Sequence, residues 1–259
     1  MSKEHWISAN MLRVISLKSA SPGQFKVQGL RWQGDNVSHL SVKGMQARIL
    51  CQRHNSALSP LDAEAGEMFR VMQIYQKVMG SCQPINLFAI FDGPSIERWL
   101  VKVLLGGLAS QNVGIPDQSK TELNADVSHE LLLESLFRRS SVVPEWTLYQ
   151  HGKTDTLFKP AAEIEFAVFH DSDMRVTGCA AAIGTTCLML AFKEITPYAV
   201  SDNLIIRPAG YVTDSALADA QTYLGLSWPF SRARLSHYVY YGTDTEAATT
   251  IPYGQFGEG

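Results

Sequence analysis

The feature that most constrains this chain is a cysteine followed, after two residues, by a histidine. The apolar pair Ile49-Leu50 leads directly into Cys51, and His54 and Asn55 come next. A Cys and a His at this spacing are typical of half a tetrahedral zinc site. The same spacing is also common by chance, and Asn55 before a helix is equally typical of turn chemistry.

Positive charge is concentrated around the same stretch. The 259-residue chain has a net charge of −3, yet residues 1–58 hold eight Lys or Arg and two acidic residues, a balance of +6. The other residues therefore carry −9. A cationic segment on an acidic body indicates contact with a polyanion, because phosphate attraction is long-range and independent of sequence. An incidental excess of Lys and Arg would give the same numbers.

Composition excludes several protein classes. No apolar run is long enough to span a bilayer, so we expect no membrane partner. Residues 1–12 lack the apolar core of a signal peptide, which makes the cytoplasm the expected compartment. The four cysteines lie far apart in the sequence and show no spacing typical of a disulfide framework, and Cys179 and Cys187, both in apolar strand-like runs, are expected to be buried free thiols.

Local patterns predict an α+β protein with an antiparallel sheet in its larger part. Strand-like runs occur at 12–17, 24–32, 37–42, 45–50, 146–149, 163–169, 174–182, 186–192, 203–208 and 235–241. Helices are predicted after Ser59, after Asp92, at 130–137 and at 213–223. The helix stop near residue 81 suggests a module at 1–80 and an α+β domain of unknown function at 81–259. The polar stretch 111–126 is a surface-loop candidate.

Acidic residues outside the first segment have simpler explanations than catalysis. Adjacent positions on a helix do not face each other, so Glu97 and Arg98 are expected to be solvated flanks of a core helix. Asp171 and Asp173 lie between two predicted strands, where short acids usually serve turn geometry.

Two stretches of the first segment resemble the HNH-type (ββα-metal, treble-clef) endonucleases. Leu50-Cys51-x-x-His54-Asn55 is similar to that family's second zinc knuckle, Leu-Cys-x-x-Cys-(His or Asn). Ser2-Lys3-Glu4-His5 is similar to its acid–histidine landmark. The resemblance implies a small treble-clef or ββα-metal module at residues 1–80 that cleaves DNA.

The resemblance also implies roles for individual residues. His5 matches the general base, Glu4 the acidic ligand of a catalytic Mg²⁺ or Mn²⁺, and Asn55 the residue that closes that site. Cys51 and His54 match two ligands of a separate structural Zn²⁺. Phosphate contacts are expected from the basic residues Lys3, Arg48 and Arg53.

The chain departs from the family pattern at two places. The family has a Cys-x-x-Cys knuckle upstream of its acid–histidine pair, which would complete the zinc site. Either the natural chain starts before Met1, or the zinc site has degenerated. The family also has an Asn about five residues before the second knuckle, which orients the catalytic His, and this chain has Gln46 near that position.

Three functions remain open from the sequence. The first is a metal-dependent DNA endonuclease. The second is a catalytically inactive module derived from a zinc knuckle, which binds nucleic acid or docks on the larger body. The third assigns residues 1–58 a structural role and places function in the C-terminal strands. DNA versus RNA, sequence preference and oligomeric state are left open by the residues.

Overall fold

The architecture is mixed α+β, as the sequence predicted. A computed structural model describes residues 2–18, 23–27, 30–33, 36–79, 84–113, 129–137, 146–151, 164–183, 186–192, 204–215, 219–229, 235–240 and 250–251. The helices are α1 (Ala9–Lys18), α2 (Gln52–Met79), α3 (Gly93–Ala109) and α4 (His129–Phe137), with a 3-10 turn at Val42–Met45. None of the helices in these ranges is long and apolar enough to cross a membrane.

The strands form two small pairs and two five-stranded sheets. In chain order they are β1 (Ser2–His5), β2 (Gln24–Val27), β3 (Ser38–Ser41), β4 (Gln46–Leu50), β5 (Asn86–Asp92), β6 (Trp146–His151), β7 (Ile164–His170), β8 (Val176–Ile183), β9 (Thr186–Phe192), β10 (Leu204–Ile206), β11 (Gly210–Ser215), β12 (Gln221–Ser227), β13 (Leu235–Tyr240) and β14 (Thr250–Ile251). The pairs β1–β4 and β2–β3 are antiparallel.

The larger sheets differ in strand direction. One has the order β10-β6-β9-β8-β7 and is antiparallel throughout, which confirms the antiparallel strands predicted between residues 163 and 192. The other has the order β14-β13-β11-β12-β5 and is mixed, because β5 runs parallel to β12 and β11 runs parallel to β13.

Helix α3 lies at the centre of the molecule. Asp92 caps its start by accepting a hydrogen bond from Ser95 N at 2.9 Å, and Pro94 occupies the first turn. Every residue from 96 to 104 is buried, because the helix packs against α2, α4 and strands of both large sheets. One continuous core contains residues from both sides of position 80, among them Met11, Phe69 and Trp99.

The strand predicted at 12–17 is wrong, since these residues belong to α1. The mainly apolar stretch before the turn signal at residues 21–23 suggested a strand. In the fold, Met11 and Leu12 are fully buried where α1 packs on α2, while Arg13 is exposed. Contact with a neighbouring helix therefore decided the conformation over the local pattern.

The predicted start of α2 at Ser59 and Pro60 is also wrong. The helix begins at Gln52 and has Pro60 inside it. Pro60 has no N–H to donate to the carbonyl of Ser56. The Ser59 hydroxyl donates to that oxygen instead, at 2.9 Å. Ser59 and Pro60 thus lie inside the helix and do not cap its start.

The helix predicted at 213–223 is replaced by strands β11 and β12 wherever the structure describes this part. Thr222, Leu224 and Leu226 are buried with a period of two, which places them on one face of a sheet. The strand predicted at 24–32 is shorter, ending at Val27. Most of the loop predicted at 111–126 lies outside the described residues.

Candidate functional site

The landmarks from the two ends of the first segment share one two-stranded ribbon. β1 pairs antiparallel with β4, which sets Glu4 opposite Ala47 and His5 opposite Gln46. The register shifts between Ser2 and Glu4, where Lys3 lies. Helix α2 follows β4 after one residue, Cys51. Two strands, the following helix and the single residue that joins β4 to α2 therefore carry all the predicted site residues, although α1 and the β2–β3 pair intervene in sequence.

The His5 side chain is oriented by a backbone carbonyl. Its Nε2 lies 3.1 Å from the carbonyl oxygen of Val42. Val42 is the first residue of the 3-10 turn that precedes β4. A carbonyl only accepts, so Nε2 carries the proton and Nδ1 keeps a free lone pair. Burial of this half-buried ring lowers the pKa of His5 below its ordinary value of 6.5. The neutral imidazole, which can accept a proton, is therefore favoured near pH 7.

Glu4, next to His5, is buried in a network of charged groups. Lys102 Nζ of α3 donates to Glu4 Oε1 at 2.9 Å and also donates to the carboxylate of Asp62 on α2. Ser8 Oγ donates to Asp62 Oδ1 at 2.7 Å, and Trp99 Nε1 donates to Ser8 Oγ at 3.0 Å. Two carboxylates thus share the ammonium group of Lys102, whose side chain is only 4% exposed.

This arrangement does not fit a Mg²⁺ or Mn²⁺ ion on Glu4. Oxygen ligands are present, but the Lys102 ammonium lies between the two carboxylates where a cation would bind them both. Within the described ranges no group of three or more His, Cys, Asp and Glu side chains lies close enough to hold a metal. Glu4 is in this structure the partner of Lys102.

Cys51 and His54 lie together at the start of α2, and both are exposed. The distance from Cys51 Sγ to His54 Nδ1 is 3.4 Å. Tetrahedral zinc with ordinary bond lengths would separate its sulfur and nitrogen ligands by about 3.6 Å, so the pair fits two positions of such a site. The described residues supply no third ligand. Asn55, one turn into the helix, donates its backbone N–H to Cys51 O at 3.0 Å.

The ribbon keeps the two groups of predicted residues apart. Ser2 pairs with Leu50, next to Cys51, whereas His5 lies at the other end of the pairing, opposite Gln46. Three residues along a strand span about 10 Å. The structure therefore brings Cys51 to His54, whereas the neighbouring Glu4 and His5 side chains bond to Lys102 and to the Val42 carbonyl, and the two groups do not form one centre.

Exposed basic side chains border the ribbon. Arg48 lies on β4, Arg53 in the first turn of α2, and Lys43 in the 3-10 turn. None of the three forms an ion pair with another described residue. Their charge is therefore open to solvent and to an anionic partner.

The sequence did not indicate the buried polar partners. Lys102 is the one cation within the apolar run 99–105, and a charge in a helix buried on all sides must be paired. That principle also corrects the prediction that Glu97 and Arg98 are solvated, because both are buried. Glu97 Oε1 accepts hydrogen bonds from Leu148 N at 2.7 Å and from Arg207 Nε at 3.1 Å.

Two other local predictions are confirmed. Asp171 Oδ1 accepts from Asp173 N at 3.0 Å and from Arg175 N at 2.9 Å, which is turn geometry. Cys179 is fully buried, as expected, and burial raises its pKa, whereas Cys187 is only half-buried.

Comparison with known proteins adds no relative. No family model, no curated protein and no solved structure matches this chain.

Proposed function

We propose that residues 1–80 form the catalytic part of an HNH-like endonuclease that hydrolyses phosphodiester bonds of DNA, with His5 as general base. The observation that carries this proposal is the His5 imidazole, bonded through Nε2 to the Val42 carbonyl and set opposite Gln46. The endonucleases that the first segment resembles orient their catalytic histidine through the carbonyl of a residue that matches Gln46, whereas the orienting carbonyl here is that of Val42.

The geometry suits proton abstraction from water. With Nε2–H donated to the Val42 carbonyl, Nδ1 is the nitrogen left to take a proton from a water molecule that attacks phosphorus. The lowered pKa of His5 keeps the ring in its neutral form at neutral pH. Half-burial also limits the motion of the ring, which favours a fixed angle of attack.

Exposed cations supply the attraction for the substrate. Arg48 and Arg53 flank the junction of β4 and α2, and residues 1–58 carry the balance of +6. Phosphate contacts of this kind give affinity and orientation without sequence readout. A divalent ion on Glu4 would require Lys102 to leave that carboxylate, so the need for Mg²⁺ or Mn²⁺ is part of the test.

The test is nicking of supercoiled plasmid with and without Mg²⁺ or Mn²⁺. We expect His5→Ala to reduce the nicking rate by about a hundredfold or more, the usual contribution of a general base. His39→Ala is the matched control, because His39 is an exposed histidine on β3 and should leave the rate unchanged. Equal nicking by wild type and His5→Ala would sink the proposal.

A second candidate function is nucleic-acid binding without cleavage. It is favoured by the ion pair of Glu4 with Lys102, which withholds the carboxylate from a catalytic ion. It predicts salt-dependent affinity for DNA, with no nicking under any divalent ion. Each phosphate contact that is lost should lower the slope of log affinity against log salt by about 0.9.

Charge reversal separates this candidate from non-specific attraction. Arg48→Glu and Arg53→Glu should weaken DNA binding and reduce the salt slope. Lys77→Glu is the control, because Lys77 is exposed on the same helix but lies in its last turn. A DNA affinity that does not change with salt concentration would count against a binding face at the β4–α2 junction. An equal loss of affinity in all three variants would do the same.

A further inference from the structure

A cavity of about 450 Å³ lies between α3, α4 and the start of α2. Its walls are mainly apolar and include Trp6 after β1, Leu58 of α2, Leu105 of α3 and Leu136 of α4. No Asp or Glu belongs to the lining that the structure describes. Cavities of this size and composition are typical of sites for small organic ligands.

The cavity also has polar and positively charged residues in its lining. Arg31 and Gln111 both line it, and they are neighbours because Arg31 N donates to the carbonyl of Asn112 at 3.0 Å. Lys102 also lines the cavity, but its charge is matched by two carboxylates. Arg31 forms no ion pair with another described residue, so it is the cation available to a ligand.

Gln111 adopts a backbone conformation that ordinary residues avoid. It follows α3 with a φ of 58°, in the left-handed region where a glycine usually ends a helix. A glutamine therefore costs strain that a glycine would not. Gln111 is exposed and lines the cavity, and a side-chain amide can donate a hydrogen bond to an anion.

The cavity also has large, partly exposed apolar side chains in its lining. Leu133 and Phe137, one turn apart on α4, line it and are 46% and 36% exposed. Covering large exposed apolar side chains with an apolar group lowers the free energy, because it removes apolar surface from water. The lining thus matches a molecule with one anionic head and an apolar tail.

We propose that this cavity binds a medium-chain fatty acid. The carboxylate is held by Arg31 and Gln111, and the tail lies along Leu133, Leu136 and Phe137. The inference concerns residues other than the predicted nuclease site, and its test does not depend on cleavage of DNA.

The test is isothermal titration calorimetry of the full chain with octanoate, octanol and acetate. Octanoate should bind at a single saturable site. Octanol has the same tail without the charge and should bind about tenfold more weakly or worse, the usual effect of losing a charge-assisted hydrogen bond. Acetate has the head without the tail and should give no measurable binding.

Two variants locate the head group. Arg31→Gln should weaken octanoate binding about tenfold and leave octanol binding unchanged. Gln111→Gly should raise the melting temperature by removing strain, yet weaken octanoate binding, which a merely structural role for Gln111 would not do. Arg70→Gln is the control, because Arg70 is exposed on α2 and does not line the cavity.

Several results would overturn the proposal. They are the absence of saturable octanoate binding, octanol binding as tight as octanoate binding, and wild-type octanoate affinity in both Arg31→Gln and Gln111→Gly. If Arg31→Gln does not fold, the Gln111→Gly variant decides, since it is expected to be more stable than the wild type.

Discussion

At the scale of single residues, Lys102 joins three parts of the chain through one ammonium group. It bonds Glu4 of β1 and Asp62 of α2 from its own position in α3. Lys102→Met should lower the free energy of unfolding by about 3 kcal/mol, because it leaves two carboxylates in a buried site without a cation. Urea denaturation measures this loss.

The matched control for Lys102 is Lys77→Met, which removes an exposed lysine from the last turn of α2. That variant should unfold at the same urea concentration as the wild type, since an exposed charge contributes little. A Lys102→Met protein as stable as the wild type would show that the three charges are solvated in solution.

His5 provides a residue-scale prediction on pH. Burial lowers its pKa in the folded chain, so the unfolded chain binds a proton more readily than the folded chain does below pH 6.5. The stability that His5 contributes is complete above pH 6.5 and is lost as the pH falls through the lowered pKa. An NMR titration of the imidazole, assigned with His5→Gln, should have its midpoint below 6.5. A midpoint at or above that value would contradict the burial of this ring.

The same titration has a kinetic counterpart if the chain cleaves DNA. The acid limb of the pH–rate profile should have its midpoint below 6.5, because the base is active only while His5 is neutral. A limb centred above 6.5 would assign the general base to another group.

At the scale of elements, α2 carries a proline that its hydrogen bonding has to accommodate. Because Pro60 has no N–H, the Ser56 carbonyl accepts its hydrogen bond from the Ser59 hydroxyl. Pro60→Ala should restore a backbone donor and raise the free energy of unfolding by about 2 kcal/mol, which is less than the full helix penalty because proline also restricts the unfolded chain. Thermal or urea unfolding measures the gain.

Ser59→Ala tests the same local account from the other side. With Pro60 in place, it removes the substitute donor and should destabilise the chain slightly. Combined with Pro60→Ala it should have no effect, because Ser56 then has a backbone partner. If Ser59→Ala changed the free energy of unfolding equally with Pro60 in place and in the Pro60→Ala background, the Ser59 hydroxyl would not be replacing the backbone N–H that Pro60 lacks.

Elements whose signals are local could be predicted from the sequence. The Asp92 cap and Pro94 predict the start of helix α3. Apolar runs separated by short turn sequences predict β7, β8 and β9. Elements decided by distant contacts could not. The mainly apolar residues from Leu12 to Leu17 were predicted to form a strand, yet the packing of α1 against α2 makes them helical. β12 pairs with β5, more than a hundred residues earlier in the chain, so no local spacing indicates it.

The candidate site divides in the same way. Cys51 and His54 are only three residues apart, a spacing that the sequence shows directly, although the helix that begins at Gln52 was predicted to begin at Ser59. The partnership of Glu4 with Lys102 joins residues 98 positions apart and depends on how α3 packs. A lone lysine in an apolar helix signals that a buried acid must exist, but not which acid it is.

At the scale of the whole molecule, contacts that cross position 80 tie the first segment to α3. Trp99 donates to Ser8 in the core, and Lys102 bonds Glu4 and Asp62. The apolar core is likewise continuous from Trp6 and Met11 to Trp99 and Leu100. The polar part of this junction is buried, so separating the partners would expose apolar surface and leave Glu4 and Asp62 without their cation.

A fragment of residues 1–80 should therefore not fold cooperatively, even though it contains every residue that the resemblance assigns to a nuclease site. A fragment of residues 1–113 retains Trp99 and Lys102 and should regain cooperative unfolding, with lower stability than the full chain because β5 has lost its pairing with β12. Circular dichroism melts of the three proteins measure this. A sharp melting transition of 1–80 alone would mean that the module folds independently, and that the charges shared with α3 serve docking rather than folding.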